Sequence, residues 1–124
     1  MKLDFNNDKS IYLQIAESIE DDIIRGLIEE ETQIPSTNQI SVIYKINPAT
    51  AGKGINILVD QEILYKKRGI GMFVVSGAKK RIQEKRKGNF FEKYVTSLVN
   101  EARNLGIGTE ELIDMIKKGA GSNG

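Results

Sequence analysis

The chain of 124 residues has no cysteine, no histidine and only two prolines. The first two absences exclude disulfides, zinc sites built on thiolate or imidazole, and catalysis by Cys or His. They also remove the usual general base near neutral pH. An enzyme would have to run on carboxylates or lysine alone, so the expectation is a protein that is not an enzyme and has no metal and no cofactor. No apolar run approaches the roughly 20 residues of a membrane-spanning helix. The opening MKLDFNNDKS lacks the apolar stretch of a signal peptide. A cytoplasmic protein without membrane insertion is expected.

What is present fits one compact domain, or a small domain with an appendage: 40% hydrophobic and 28% charged residues. The net charge of +1 hides a pattern. Residues 1–44 hold three Lys/Arg against nine Asp/Glu, a net −6. Residues 45–87 hold eleven against three, a net +8, and residues 88–124 hold four against five, a net −1. A basic middle is the footprint expected of a polyanion-binding face, or of a solvated face with a charged linker.

Helical spacing of Tyr12, Ile15, Ala16, Ile19 and Ile23 predicts a first helix over 10–25, capped by Ser10, with an acidic outer face and a stop at Gly26. Pro35 breaks the chain. Ser36 followed by Gln39 predicts a capping box opening a short second helix with the stripe Ile40, Ile43 and Tyr44. Asn47-Pro48 opens a third helix, whose core side carries Ala51, Ile55 and Leu58 and whose outer side carries Thr50, Lys53 and Asn56. Two short helices joined by YKIN form a helix-turn-helix pattern. Residues 63–75, with Arg68-Gly69-Ile70-Gly71 at the turn, predict a β-hairpin. The fold class is mainly α with a small β-hairpin wing: a winged helix-turn-helix domain over 1–76. A basic linker or helix start follows at 77–89, then a helical tail at 90–118 and a disordered end at 119–124.

The stretch ATAGKG in the third helix suggests a phosphate loop. The required pattern, G-x-x-x-x-G-K-[ST] after a strand, fails at Asn47, at Gly54 and in its context. Glycine inside a helix costs about 1 kcal/mol relative to alanine. Gly52 is therefore expected to permit close approach of a bulky partner, and Gly54 to permit packing within the domain.

Residues 10–76 resemble the N-terminal domain of the GntR family of bacterial transcription regulators, through Pro35-Ser36, Asn47-Pro48 with Thr50, and the wing Arg68 to Val74. The short tail is similar to the two-helix dimerisation segment of the YtrA subfamily. The resemblance implies a dimeric repressor that binds double-stranded DNA at an inverted-repeat operator of a transporter operon and is released by an effector. With a tail of about 35 residues, short for an enclosed pocket, a hydrophobic or amphipathic effector at the tail or the dimer interface is the class left open. Asn38 and Lys53 stand where the family commonly has Arg, and Glu31 where Gly is usual. The expected DNA contacts are Ser36, Thr37 and Asn38 at the second helix, Ala49, Thr50 and Lys53 on the third, and Lys67, Arg68, Gly69 and Gly71 in the wing. Free N–H groups at both helix starts would meet phosphates. The tail would dimerise through Phe91, Tyr94, Val95, Leu98, Ala102, Leu105, Leu112 and Ile116. The alternative is a winged-helix protein–protein interaction module without specific DNA binding.

Overall fold

A computed structural model of the chain describes residues 3–6 and 8–122. It falls into two compact units, one through Glu84 and one from Lys85 onward. The first unit contains α1 (Ile11–Ile24), α2 (Thr37–Tyr44), α3 (Pro48–Asp60), β1 (Leu64–Lys67), β2 (Gly71–Val74) and the first part of α4 (Ala78–Phe90). The basic stretch expected as a linker or helix start is thus helical nearly throughout. Ala78 and Ile82 are buried in the core of this unit, beside Ile15, Ile19, Ile23, Ile55 and Leu58.

The expected stripe of α3 is buried, and so is that of α1 except for Tyr12, which is half-buried. On α1 the buried arc is wider than a stripe, because it includes Gln14 and Glu20. Not every acid of this helix lies on the expected outer face: Glu20, one turn below Ala16, is inside that arc. Ser10 occupies the cap position of α1 without a side-chain cap bond. Gln14 does the anchoring instead: its amide donates to the carbonyls of Asp4 (2.9 Å) and Lys9 (2.8 Å), and its oxygen accepts from the Asp4 N–H (2.7 Å).

The α1–α3 packing depends on Gly54. A Cβ there would stand 2.7 Å from the Tyr12 carbonyl oxygen and 3.1 Å from Ile15. This glycine is a packing glycine, as its sequence context suggested.

Helices α1, α2, α3 and α5 (Ser97–Asn104) end in the same hydrogen-bond pattern. An N–H just past each helix end reaches back five residues: Leu27 to Asp22, Ile46 to Ser41, Ile63 to Leu58 and Ile107 to Ala102. This motif needs a left-handed residue, usually glycine. Gly26 and Gly106 fill it at two ends, whereas Lys45 (φ 53°) and Glu62 (φ 61°) fill it at the others.

The wing is a two-stranded antiparallel sheet in which Leu64 faces Val74, Tyr65 faces Phe73, Lys66 faces Met72 and Lys67 faces Gly71. Residues 31–34 lie along the free edge of β2, through N–H donors of Glu31 to Val74 and Ile34 to Met72, and of Val74 back to Thr32. Only Pro35 and Ser36 separate this segment from α2. The edge of the wing and the start of α2 are therefore tied by a very short connection.

The second unit continues α4 into a π-helical segment, Phe91–Thr96, followed by α5 (Ser97–Asn104) and α6 (Thr109–Ser122). The wide turn was not foreseen. At its end the hydroxyl of Ser97, the first residue of α5, donates to the Lys93 carbonyl at 3.0 Å, a local side-chain bond of the kind that distorts helices. Helix α6 runs through Gly119 to Ser122, into the stretch expected to be disordered, because each added residue of a nucleated helix gains one backbone bond. Residues 123 and 124 lie outside the described residues. No described helix is long and apolar enough to cross a membrane.

Candidate nucleic-acid interface

The start of α2 is built by the capping box expected from sequence. Ser36 Oγ accepts from the Gln39 N–H (3.1 Å), and Gln39 Oε1 accepts from the Ser36 N–H (2.8 Å). The start of α3 is closed by Asn47, whose side chain accepts from Ala49 N–H (2.8 Å) while its carbonyl accepts from Thr50 (3.0 Å) and Ala51 (3.1 Å). The expectation that free N–H groups at this start would meet phosphates is thereby corrected. Asn47 engages them, and α3 has side chains to offer rather than N–H groups.

The two helix starts meet. A Cβ on Gly52 would lie 3.6 Å from the Thr37 methyl group and near nothing else within 4 Å. Nothing inside the chain therefore demands glycine at 52. Around this junction Ser36, Thr37, Gly52 and Thr50 are half-buried, and Asn38, Ala49, Lys53 and Asn56 are exposed. The Lys53 ammonium lies 4.0 Å from the centroid of the Tyr12 ring.

In the wing, Arg68, Gly69 and Ile70 form the exposed turn, with the Ile70 N–H on the Lys67 carbonyl at 2.9 Å. Gly69 (φ 78°) and Gly71 (φ 145°) supply its backbone. A Cβ on Gly71 would collide with the Gln33 amide, which donates to the Ile70 carbonyl at 2.9 Å. Alternation separates the two lysines of β1. Lys67 shares a face with Tyr65 and Phe73 and lies 4.2 Å from the Phe73 ring centroid, whereas Lys66 stands on the face of Leu64 and Met72.

Two acidic residues hold this frame through bonds that sequence reading missed. The Glu30 carboxylate accepts from the N–H groups of Gly77 (2.9 Å) and Lys79 (3.0 Å) at the start of α4, and these bonds lower its pKa below the usual 4.5. The neighbouring Glu31 accepts from the Tyr65 hydroxyl at 2.8 Å, which raises the tyrosine pKa above 10.0. Partners 34 to 49 residues away leave no local signal. Sequence reading also misplaced Ile43. With only two turns, α2 buries Ile40 and Ser41 and leaves Val42 and Ile43 76% and 61% exposed.

Of the expected tail residues, Phe91, Tyr94, Leu98, Leu105 and Ile116 are exposed in the single chain, Val95 and Leu112 are half-buried and Ala102 is buried.

Three helices closed by a hairpin, with the outer face of α3 open beside the start of α2, define a winged helix-turn-helix of the DNA-binding type. The family model "Bacterial regulatory proteins, gntR family" matches residues 11–74, and the chain belongs to that family. A crystal structure of a GntR-family putative regulator from Bacteroides thetaiotaomicron is 40% identical, with a TM-score of 0.73, over 93% of this chain and all of that one. The HTH-type transcriptional repressor YtrA of Bacillus subtilis is 25% identical over 95% of this chain and 90% of its own. The DNA-binding domain of AraR, solved in complex with operator ORX1, is 30% identical with a TM-score of 0.53, over 60% of this chain and 96% of that one.

Proposed function

We propose that the protein is a cytoplasmic, dimeric repressor that binds an inverted-repeat operator of a transporter operon and leaves it when a hydrophobic or amphipathic effector binds the tail. The observation that carries this reading is the junction of two capped helix starts at Thr37 and Gly52, with Ala49, Lys53 and Asn56 exposed beside it. Helix α3 enters the major groove by its N-terminal end. Thr50 and Lys53 reach base edges or phosphates, and Ala49 meets a thymine methyl. Ser36, Thr37 and Asn38 fix the register on the backbone, and Lys67, Arg68, Gly69 and Gly71 lie along the neighbouring groove. Asn38 and Lys53 hydrogen-bond without the bidentate fork of Arg, so this operator differs from those read by Arg at the same places.

A second reading, a protein-docking module, is favoured by one observation: the exposed Val42 and Ile43 on α2. Salt separates the two. Each phosphate neutralised makes DNA binding fall with salt through counterion release, while an apolar interface is indifferent to it. Purified protein is selected against its own genomic fragments at two salt concentrations. Enrichment of one inverted repeat, lost at high salt, supports the repressor. No enrichment at either salt sinks it.

A further inference from the structure

Lys53 stands where the fork of an Arg would be expected to read DNA, and a lysine side chain is a poor substitute. It is a point charge on four rotatable carbons, and fixing it against DNA costs rotamer entropy. Two observations bear on how this chain limits that cost. The Lys53 ammonium is 4.0 Å from the Tyr12 ring centroid, within the distance at which a cation is attracted to an aromatic face. The contact is also not a chance meeting of two long surface side chains. The next residue, Gly54, lets α3 approach α1 so closely that its missing Cβ would stand 2.7 Å from the Tyr12 carbonyl oxygen. Backbone packing at one residue sets the ring under the side chain of its neighbour. Tyr12 itself is half-buried in the first turn of α1. Its ring is thus anchored by a helix, while Lys53 is exposed.

We propose that Tyr12 is a positioning residue for DNA recognition: its ring seats the Lys53 ammonium on the outer side of α3 and so narrows the directions in which the charge is presented. The inference rests on the reading of α3 as the DNA-facing helix. It makes α1, otherwise a core helix, part of the recognition surface. The opposite consequence is also physical. A ring that binds the ammonium too well would withhold it from DNA, and removing the ring would then tighten binding.

The test has two readouts. The first is the proton shift of the Lys53 ε-methylene, which the ring current moves upfield in the free protein. Tyr12→Leu should abolish that displacement and Tyr12→Phe should keep it. The second is a double-mutant cycle on the selected operator with wild type, Tyr12→Leu, Lys53→Ala and the double variant. Tyr12→Leu should weaken binding about two- to fivefold, the size of an exposed cation–π contact. It should have no further effect in the Lys53→Ala background. Tyr12→Phe, which retains the ring face, should bind like wild type. Tyr12→Gln replaces Tyr12→Leu if the latter does not fold. Additive losses, or tighter binding by Tyr12→Leu, overturn the positioning role while leaving the DNA-binding reading intact. A wild-type protein that selects no DNA overturns that reading, and the proposal with it.

Discussion

The Tyr65 hydroxyl donates a 2.8 Å hydrogen bond to Glu31, a residue whose own backbone is held in the left-handed region at φ 65°. A side chain with a Cβ pays about 1 kcal/mol or more for that conformation, and glycine does not. This is the physical reason a glycine would suit the position. Glu31→Ala and Glu31→Gly both lose the acceptor of Tyr65, so the comparison isolates the backbone. Glu31→Gly should be the more stable of the two by about 1 kcal/mol in urea denaturation. Equal stabilities would mean that the loop relaxes out of the left-handed region.

The same bond sets a dependence on alkaline pH. The folded pKa of Tyr65 is raised, by the Glu31 hydrogen bond first. The bond therefore contributes fully below the unfolded tyrosine value and is lost as pH rises through the folded one. The stability difference between wild type and Tyr65→Phe should be constant near neutrality and shift against wild type only at strongly alkaline pH.

Glu30 gives the opposite sign. Its pKa is lowered by the N–H groups of Gly77 and Lys79. The carboxylate acts as the cap of α4, where the free N–H groups and the helix dipole favour an anion. Its contribution is present above the ordinary carboxylate value and is lost as pH falls through the lowered folded value. Glu30→Ala should cost about 1 kcal/mol at pH 7, the usual scale for losing an N-cap. The gap between the two proteins should close in acid. A gap that did not change with pH would assign the loss to packing instead.

Gly52 and Gly54 make a matched pair on one helix. Alanine at either gains about 1 kcal/mol of helix propensity. At 54 the new Cβ meets backbone, the Tyr12 carbonyl at 2.7 Å, which cannot yield as a side chain can. Overpacking costs about 1–3 kcal/mol, so Gly54→Ala should be destabilised by up to about 2 kcal/mol in net terms. At 52 the new Cβ meets only the Thr37 methyl at an ordinary 3.6 Å. Gly52→Ala should raise the midpoint of thermal unfolding while weakening operator binding. A stabilised Gly52→Ala that binds normally would show that no partner comes close to this face.

These comparisons mark what the sequence could and could not reveal. The capping box at Ser36 and Gln39, the Asn47-Pro48 start and the core stripes of α1 and α3 obey local rules, and each was legible. So was the packing role of Gly54, because its helix already showed which side was buried. The left-handed backbone at Glu31, Lys45 and Glu62 was not legible, because none of the three is the glycine that would signal it. Ile43 was misjudged because a two-turn helix flanked by loops need not bury a full stripe. Glu30 was invisible because its partners lie 47 and 49 residues along the chain. The ring beneath Lys53 was not legible, because Tyr12 lies on another helix 41 residues earlier in the chain.

The tail offers the sharpest test of assembly. Phe91, Tyr94, Leu98 and Leu105 are 66%, 54%, 42% and 66% exposed within one short stretch. Single exposed apolar residues are ordinary, but a cluster of this density marks an interaction site. Burying a large apolar side chain is worth about 1.5–3 kcal/mol, enough for a few such residues to hold two copies together. A two-fold interface also presents each residue to the same patch of its partner. Leu98→Glu would therefore place two like charges in the interface at once. Wild type should sediment as a dimer at micromolar concentration and Leu98→Glu as a monomer. The winged unit should melt unchanged, since its core lies before residue 85. Binding to the inverted repeat should fall to that of one half-site, because the gain from linked sites disappears. A wild-type monomer, or a dimer that survived the charge, would show that the tail does not bring the two copies together.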